Sequence, residues 1–340
     1  MNKINFTVIA TVKNEYSVIT TFIDSLLAQS LPPDEIIIVD GNSTDGTNDI
    51  LKKYHDGGFI TLITQDCNIA QGRNIAIKKS RNNYIASTDA GCIVDSKWLE
   101  ELASAFNTPE FPDIVAGNFK FICHNTFEEA VVLATNNPDR ENTDEAIYFP
   151  SSRSIAFKKS AWEKAKGYPE WLYAAEDTLF NIRLRQLGFK FIFAKNAIVR
   201  WRPRETYSAV AKQHFNYARG NGRVGIGTDG YLLNIKYHSL ILFFLFVSFI
   251  WPIASFGSGY FLYVHIKHFL WPQAKKASKL SNKPYMLYRV LLIMELMRIA
   301  GMAGFIRGKL DRLLNRHFID SQIEWMGVPS LDTKKEDSRA

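Results

Sequence analysis

Acidic residues stand where β-type runs of this sequence end, and such carboxylates could hold a cation against a phosphate. Asp40 follows the apolar run Glu35–Val39, and Asp89 lies in Ser87-Thr-Asp-Ala-Gly91 after a similar run. Small turn-forming residues beside both would let a ligand approach the backbone. Hard divalent cations that bridge a diphosphate prefer oxygen ligands of this kind. Each stretch alone could equally be a turn that caps the next helix.

A second pair of carboxylates, Glu176 and Asp177, opens a predicted helix. Acidic residues at a helix N-terminus are stabilised by the helix dipole, so most such pairs are simple capping groups. The same field keeps Asp177 ionised, which a general base requires.

Arginine residues form the third chemical feature. Arg73 lies in Gln71-Gly-Arg-Asn-Ile75, and Arg202 and Arg204 accompany Trp201 after a predicted strand. A forked guanidinium group suits phosphate oxygens better than an ammonium group does. Taken singly, each arginine could be an ordinary solvated surface charge.

The elements that must position these residues alternate between strand and helix. Continuous apolar strands separated by amphipathic helices predict an α/β fold with a mostly parallel, Rossmann-like sheet covered by helices on both faces. Ligands of such sheets bind beyond the carboxyl ends of the strands, where the carboxylates lie. The predicted strands are 4–12, 35–39, 59–63, 84–88 and 189–193, and the clearest predicted helices are 19–27, 69–79 and 177–187.

Two segments leave the pattern. Between Pro109 and Pro150 it loosens, and the polar stretch 136–144 is either a lid or acceptor-binding loop or an ordinary surface excursion. The run Gly220-Asn-Gly-Arg-Val-Gly225 matches the dinucleotide-binding pattern G-x-G-x-x-G. We set this match aside because it follows a helical stretch and no strand precedes it.

Composition narrows the class of protein. The chain has 340 residues, of which 46% are hydrophobic, and this excludes disorder. A net charge of +7 suits phosphate-bearing ligands or an anionic membrane surface and does not select nucleic acid as a partner. Cys67, Cys92 and Cys123 lie far apart and support neither a disulfide framework nor a zinc cluster. The N-terminal apolar run is too short and too interrupted for a signal peptide.

A membrane-associated segment follows. From Ser239 to Ile266 no Lys, Arg, Asp or Glu occurs, a length sufficient to cross about 30 Å of hydrocarbon. One span would put the later lysines on the far side of the membrane, against the positive-inside rule. Pro252, Gly257 and Gly259 could instead bend the segment into a re-entrant hairpin, which we slightly favour.

The next apolar stretch, Met286–Ile306, carries Arg289, Glu295 and Arg298. Because a charge at bilayer depth is costly, we interpret this stretch as an amphipathic helix that lies on the surface or packs on the hairpin. A wholly buried helical domain is the alternative.

The ordered set of motifs over roughly residues 1–225 resembles the family 2 glycosyltransferases, which have a GT-A-type fold. The resemblance is specific as a set and weak for any single member. The matching runs are Thr11-Val-Lys-Asn-Glu15, Val39-Asp-Gly-Asn-Ser-Thr-Asp-Gly-Thr47, Asn68-Ile-Ala-Gln-Gly-Arg-Asn74, Thr88-Asp-Ala-Gly91, and Gly167-Tyr-Pro-Glu-Trp171 followed by Glu176-Asp177.

This resemblance implies an inverting transfer from a nucleotide-activated sugar. It assigns the nucleotide to Thr11, Glu15, Asp40 and Arg73, the ribose, diphosphate or metal to Asp89, and the base role to Asp177 beside Glu176. Trp201, Arg202 and Arg204 are expected near the acceptor or the diphosphate, a weaker equivalence, because the family's usual Gln-rich Arg-Trp motif is absent.

One departure concerns the divalent cation, Mg²⁺ or Mn²⁺, that the resemblance implies. The family commonly shows Asp-x-Asp where this chain has Asp89-Ala-Gly91, so one expected metal ligand is missing. Either Asp89 holds the cation with phosphates and water, or Asp95 helps, or arginine residues share the neutralising role.

The combined interpretation is a GT-A-type domain at 1–225 and a helical membrane-associated region at 226–340. We expect an enzyme at the cytosolic face of the inner membrane that glycosylates a hydroxyl of a lipid-linked or polysaccharide acceptor. The alternatives are a catalytically silent nucleotide-sugar-binding or scaffold subunit and a Rossmann-type oxidoreductase.

Overall fold

The computed structural model describes residues 4–135, 150–281, 283–329 and 331. Their contacts divide the chain into two units. The first contains the described residues up to Ile122 and those from 150 to Arg202, and the second contains the remainder. The stretch 136–144, predicted as a lid or acceptor-binding loop or as a surface excursion, lies outside the described residues.

The first unit is built on an eight-stranded sheet with the order β3-β2-β1-β4-β7-β6-β8-β5. Strands β3, β2, β1 and β4 are parallel neighbours, whereas β7 runs antiparallel to β4 and β6, and β5 runs antiparallel to β8. The sheet is therefore mixed but mostly parallel, as predicted. The strands are β1 (Phe6–Val12), β2 (Glu35–Asp40), β3 (Thr61–Thr64), β4 (Tyr84–Thr88), β5 (Cys92–Val94), β6 (Ile114–Phe121), β7 (Ser154–Lys158) and β8 (Phe191–Trp201).

Helices cover this sheet and form the second unit. In chain order they are α1 (Ile19–Leu27), α2 (Thr47–Asp56), α3 (Ile69–Lys79), α4 (Trp98–Phe106), α5 (Thr126–Thr135), α6 (Lys159–Lys164), α7 (Glu176–Gln186), α8 (Tyr207–Val224), α9 (Thr228–Val247), α10 (Ser255–His265), α11 (Trp271–Ser281), α12 (Met286–Leu314) and α13 (His317–Met326). α5 and α8 to α13 belong to the second unit. This division by contacts differs from the predicted domains at 1–225 and 226–340, which stay a prediction.

The core of the first unit follows the predicted periodicity. α1 buries Ile19, Phe22, Ile23 and Leu26, the face expected from its apolar spacing. These side chains share one cluster with Val8 and Ala10 of β1. Burial of such aliphatic and aromatic groups contributes roughly 1.5–3 kcal/mol each. This packing fixes the strand ends from which the site is built.

Helix α8 packs on the long helix α12 through glycine. A Cβ atom at Gly222 would lie 2.5 Å from the carbonyl oxygen of Phe305, and one at Gly304 would lie 2.1 Å from that of Phe215. Small residues are required at this crossing because the two backbones nearly touch. The G-x-G-x-x-G match at 220–225 is therefore the end of a packed helix, and Gly225 caps it with φ +81°.

The uncharged segment forms a helical hairpin. α9 and α10 run antiparallel: a Cβ at Gly257 would lie 2.5 Å from Phe244, and the rings of Phe244 and Phe261 stack at 5.6 Å. A turn through Trp251 and the 3₁₀ helix Pro252–Ala254 connects them. α9 is long and apolar enough to cross a membrane, and none of its residues is buried. This exposure does not fit a wholly buried helical domain. The segment folds back on itself, and its re-entrant placement in a membrane stays a prediction.

The charges of the following stretch all have partners within the second unit. Arg289 donates to Thr126, Glu295 accepts from two histidine rings, and Arg298 donates to Asn234. Of the two predicted placements for this helix, the structure has the one that packs on the hairpin.

Candidate active site

The carboxyl ends of β1 and β4 lie side by side and open the site. The two strands pair in parallel with Ile9 opposite Ser87, which brings Thr11 and Asp89 to one edge of the sheet. The hydroxyl oxygens of Thr11, Ser87 and Thr88 are buried and have no hydrogen-bond partner among the described residues. A Cβ at Gly72 of α3 would lie 2.4 Å from the Thr11 side chain, so glycine lets the helix approach this edge.

Arg73 occupies the centre of the site and is only 3% exposed. One Nη atom donates to Glu176 Oε1 at 2.8 Å, and the other donates to Asp89 Oδ1 at 2.9 Å. Burial opposes its positive charge, but the two carboxylates more than compensate and raise the pKa of Arg73. Three residues predicted separately for the site are therefore joined by one guanidinium group.

Glu176 and Asp177 are adjacent but differ in environment. Glu176 is buried, and this burial together with the neighbouring Asp177 raises its pKa to about 7, while Arg73 acts in the opposite direction. Asp177 is half-buried, and its Oδ1 accepts from the Thr178 backbone N–H at 2.7 Å. Ala175, which precedes the pair, has φ +67°, a left-handed conformation that is costly without glycine. Asp177 is thus the more exposed of the two carboxylates.

Asn74 explains why the predicted motif 68–74 accompanies the motif that starts at Gly167. Its Oδ1 accepts from Trp162 Nε1 and from the backbone N–H of Tyr168, and its Nδ2 donates to Glu170. Asn68 caps α3 and donates to the Glu170 carbonyl. α3 thus holds the loop that delivers Glu176 and Asp177.

Arg153 is a site residue that the sequence analysis missed. Its Nε lies 3.8 Å from Asp89 Oδ2, and its guanidinium stacks on the ring of Trp201 at 4.0 Å. The Nε atom of Arg153 is buried and has no hydrogen-bond partner among the described residues. The one feature of the sequence that could have indicated Arg153 is its position in the polar run Ser151–Ser154, at the start of the apolar strand β7. That strand was itself not predicted. Through Arg153, the predicted Trp201 is brought next to Asp89.

The remaining predicted residues have different surroundings. Asp40 is fully buried, and its carboxylate accepts from Ser43 and from Asn48 Nδ2, so it shapes the loop after β2. Glu15 is half-buried, and its backbone N–H donates to Thr47. Arg202 and Arg204 are exposed, and they fall in the first and second unit respectively. Their roles toward a nucleotide, diphosphate or acceptor remain predictions.

The donor set for a cation contains one carboxylate. Asp89 is 30% exposed on its side chain, whereas Asp95 is engaged by Arg200 through two bonds of 2.6 and 3.0 Å. Asp95 is thus already paired with Arg200, and a part for it in holding the cation stays a prediction. At Gly91 a Cβ would meet no atom within 4 Å. One carboxylate beside buried hydroxyl groups fits a cation that is held mainly by substrate phosphates.

A family model described as Glycosyl transferase family 2 matches residues 7–164. These residues form a family 2 glycosyltransferase domain. The range includes Thr11, Asp40, Arg73, Asp89 and Arg153, so most of the site just described lies within it. The family predicted from the motifs is confirmed.

Relatives of this glycosyltransferase agree on the enzyme class. The O-antigen chain rhamnosyltransferase RfbN of Salmonella typhimurium is 24% identical over 215 residues, which cover 59% of this chain and 68% of that protein. The poly(ribitol-phosphate) beta-glucosyltransferase of Bacillus spizizenii is 31% identical over 182 residues, covering 52% of this chain and 28% of that protein. The chain thus matches about a quarter of the second relative's length. The chain is a glycosyltransferase, as predicted.

A solved structure confirms the predicted GT-A-type fold. The mannosyltransferase PcManGT from Pyrobaculum calidifontis, solved with GDP-Man and Mn²⁺, aligns with a TM-score of 0.54 and 16% identity. The alignment covers 89% of this chain and 87% of that one.

Glu176→Gln is expected to remove a pH dependence of stability. A carboxyl group with a pKa of 4.5 unfolded and about 7 folded binds more protons in the folded chain between these values. Its contribution is complete below pH 4.5 and is lost as the pH rises through 7. Relative to the variant, the wild-type free energy of unfolding should fall by up to about 3 kcal/mol over this range.

Thermal unfolding between about pH 5 and about pH 8 would measure this difference. Glu163→Gln, at an exposed position of α6, is the matched control and should keep the wild-type slope. Equal slopes in all three proteins would mean that Arg73 keeps Glu176 ionised throughout.

Proposed function

We propose that this glycosyltransferase moves a sugar, with inversion, from a nucleotide-sugar donor to a hydroxyl group of a lipid-linked or polysaccharide acceptor. The observation that carries the proposal is the half-buried carboxylate of Asp177, which directly follows Glu176 in the group formed by buried Arg73, buried Glu176 and partly exposed Asp89. An intact base next to a phosphate-binding edge argues against a catalytically silent subunit. The packed glycine helix at 220–225 removes the main support for an oxidoreductase.

The reaction is a direct displacement at the anomeric carbon. Asp177 takes the proton of the acceptor hydroxyl as its oxygen bonds to that carbon, and the bond from the carbon to the phosphate oxygen breaks. The nucleoside diphosphate leaves with the electron pair. Arg153, held flat on Trp201 beside Asp89, is placed to stabilise the departing phosphate charge.

Asp89 is the residue that would hold a divalent cation. When bound, Mg²⁺ or Mn²⁺ would neutralise charge on the donor diphosphate. The Mn²⁺ and GDP-Man named for the mannosyltransferase structure support this assignment. Arg73 holds Oδ1 of Asp89, and Oδ2 lies 3.8 Å from Arg153 Nε, so Oδ2 is the oxygen that would bind the cation.

The hairpin supports membrane attachment at one leaflet. From Ser239 to the turn near Phe249 the helix rises about 15 Å, half the hydrocarbon thickness. The turn exposes large apolar side chains, including Phe249 at 84% and Ile253 at 77%. Lys236 and Lys267 flank the uncharged stretch at the opposite end of the hairpin, where lipid phosphates would lie. We infer that the hairpin tip inserts from the cytosolic side of the inner membrane.

This attachment favours an acceptor carried by a lipid. The names of the relatives, an O-antigen chain rhamnosyltransferase and a poly(ribitol-phosphate) glucosyltransferase, support acceptors that belong to surface polymers. An enzyme attached to the bilayer meets a lipid-linked intermediate of such a polymer without a search through solution.

Asp177→Asn is expected to lower transfer at least about 1000-fold, because the amide cannot take the acceptor proton. Binding of the nucleoside diphosphate should change less than about threefold, since Arg73, Asp89 and Arg153 are untouched. Transfer to a membrane extract and calorimetric titration with UDP, GDP, dTDP and CMP would measure the two effects. Glu163→Gln is the control, and near-normal turnover of Asp177→Asn would remove this residue from the base role.

Gly91→Asp is expected to strengthen cation binding. The position is exposed and has space for a side chain, so a second carboxylate can be added there without a clash. We expect Mn²⁺ to bind at least about tenfold more tightly in the presence of nucleoside diphosphate, as measured by calorimetry. Gly91→Asn, which adds similar volume without charge, should stay near wild type. Equal affinities of all three proteins would place the cation away from Asp89.

Charges at the hairpin tip are expected to abolish membrane attachment. Phe249→Glu with Ile253→Glu places two carboxylates where the tip would enter hydrocarbon, at a cost of a few kcal/mol each. Flotation with anionic vesicles should show at least a tenfold loss of bound protein. Phe59→Glu, at an exposed position of the first unit, is the control. Undiminished flotation of the double variant would refute insertion by the tip.

A further inference from the structure

Two histidines and a glutamate meet at the base of the hairpin, within the second unit. His238 lies on α9, His265 ends α10, and Glu295 lies on α12. Nε2 of His238 is 2.7 Å from Oε1 of Glu295, and Nε2 of His265 is 2.9 Å from Oε2. The three ligand atoms lie within 4.8 Å of one another. Three helices therefore direct one nitrogen or carboxylate group each to a common point.

The hydrogen bonds of His238 require a positive species at that point. Its Nδ1 is 2.8 Å from the carbonyl oxygen of Asn234, which can only accept, so Nδ1 carries the proton. In the neutral ring, Nε2 then carries a lone pair, and this lone pair would face a carboxylate oxygen of Glu295 and be repelled by it. Either a second proton or a metal ion must lie between them. A histidine whose second nitrogen donates to a backbone carbonyl is the usual arrangement around a bound metal.

His265 adds a buried donor to the same point. It is 1% exposed, and its Nδ1 has no hydrogen-bond partner among the described residues. The centroid of its ring lies 4.7 Å from that of His238, and the two rings are nearly perpendicular. Each Nε2 atom faces a different oxygen of the Glu295 carboxylate. A buried histidine without a second hydrogen bond is costly unless Nε2 has a strong partner.

One neighbouring charge is directed away from the cluster. The guanidinium of Arg298 donates to Asn234 Oδ1 at 2.6 Å and to the Phe269 carbonyl at 3.1 Å. Phe269 lies 5.7 Å from the His265 ring and encloses the cluster on one side. Two imidazoles and one carboxylate suit Zn²⁺, which takes such ligands at about 2.0–2.2 Å, better than they suit Mg²⁺. Small rotations of the three side chains would open the present distances to tetrahedral spacing.

We propose that His238, His265 and Glu295 bind one Zn²⁺ ion, which ties both arms of the hairpin to α12. The ion has a structural role: it fixes the base of the hairpin, from which the apolar tip projects. This site shares no residue with the active site and does not depend on the proposed reaction.

The test uses the full chain without a histidine tag, purified in detergent with excess Mg²⁺. After dialysis against a weak chelator, elemental analysis should find about one zinc per chain. Substitution with Co²⁺ should give visible absorption bands typical of nitrogen ligation. Glu295→Gln and His238→Gln should each lower zinc affinity at least about 10-fold in competition with a chromophoric chelator. The matched control is His268→Gln, which changes an exposed histidine three residues after His265.

A wild-type chain that retains less than about a tenth of an equivalent of zinc and gives no Co²⁺ bands would overturn the proposal. The cluster would then be a proton-bridged ion pair. Zinc that is lost in Asp89→Ala but kept in Glu295→Gln and His238→Gln would also overturn it, because the ion would lie in the active site. The zinc content and the Co²⁺ bands are measured on the wild-type chain, so they test the proposal even if one of the variants misfolds.

Discussion

The site depends on the burial of one guanidinium group between two carboxylates. Arg73 is surrounded by protein, and its charge is balanced by Asp89 at the end of β4 and by Glu176 at the start of α7. A buried charge that loses its partner costs about 3–5 kcal/mol, so the strand end and the helix start cannot separate cheaply. This pairing fixes the distance between the edge where we propose that phosphate binds and the proposed base. Asp177 gains its position from Glu176, its neighbour in the chain.

Helix α3 supplies the rest of this constraint. Gly72 lets the helix touch Thr11, Arg73 joins the carboxylates, and Asn74 holds the loop that leads to α7. These three consecutive residues face three different parts of the first unit. The motif 68–74 is therefore a structural junction, whatever its predicted part in nucleotide binding. Among the described residues, the hydroxyl groups of Thr11, Ser87 and Thr88 nearby have no hydrogen-bond partner.

Local patterns predicted most of the first unit, and contacts between distant segments account for what they missed. The bounds of α3 and β4 were predicted to the residue: Asn68 caps the start of α3, and β4 is an apolar run that is buried almost throughout. β6 was missed because its second half, with Asn118 and Lys120, is only partly buried, and a register shift follows Ala116. The predicted strand 189–193 is the start of a longer one, β8, since polar Lys195 and Asn196 interrupt its pattern. Arg153 could not be assigned because its importance comes from Asp89 and Trp201, which lie far away in sequence.

The missing carboxylate at Gly91 and the presence of Arg153 are best understood together. Arg73 is paired with both Glu176 and Asp89, and Arg153 lies 3.8 Å from the second oxygen of Asp89, so these charges already offset one another in part. A second carboxylate would add negative charge that only a tightly held cation could offset. Arg153 instead supplies positive charge from the chain itself, since it stacks on Trp201 and lies 3.8 Å from Asp89. We expect a site of this composition to need a cation less than one with two carboxylates does, because part of the neutralising charge is already in place before the donor binds.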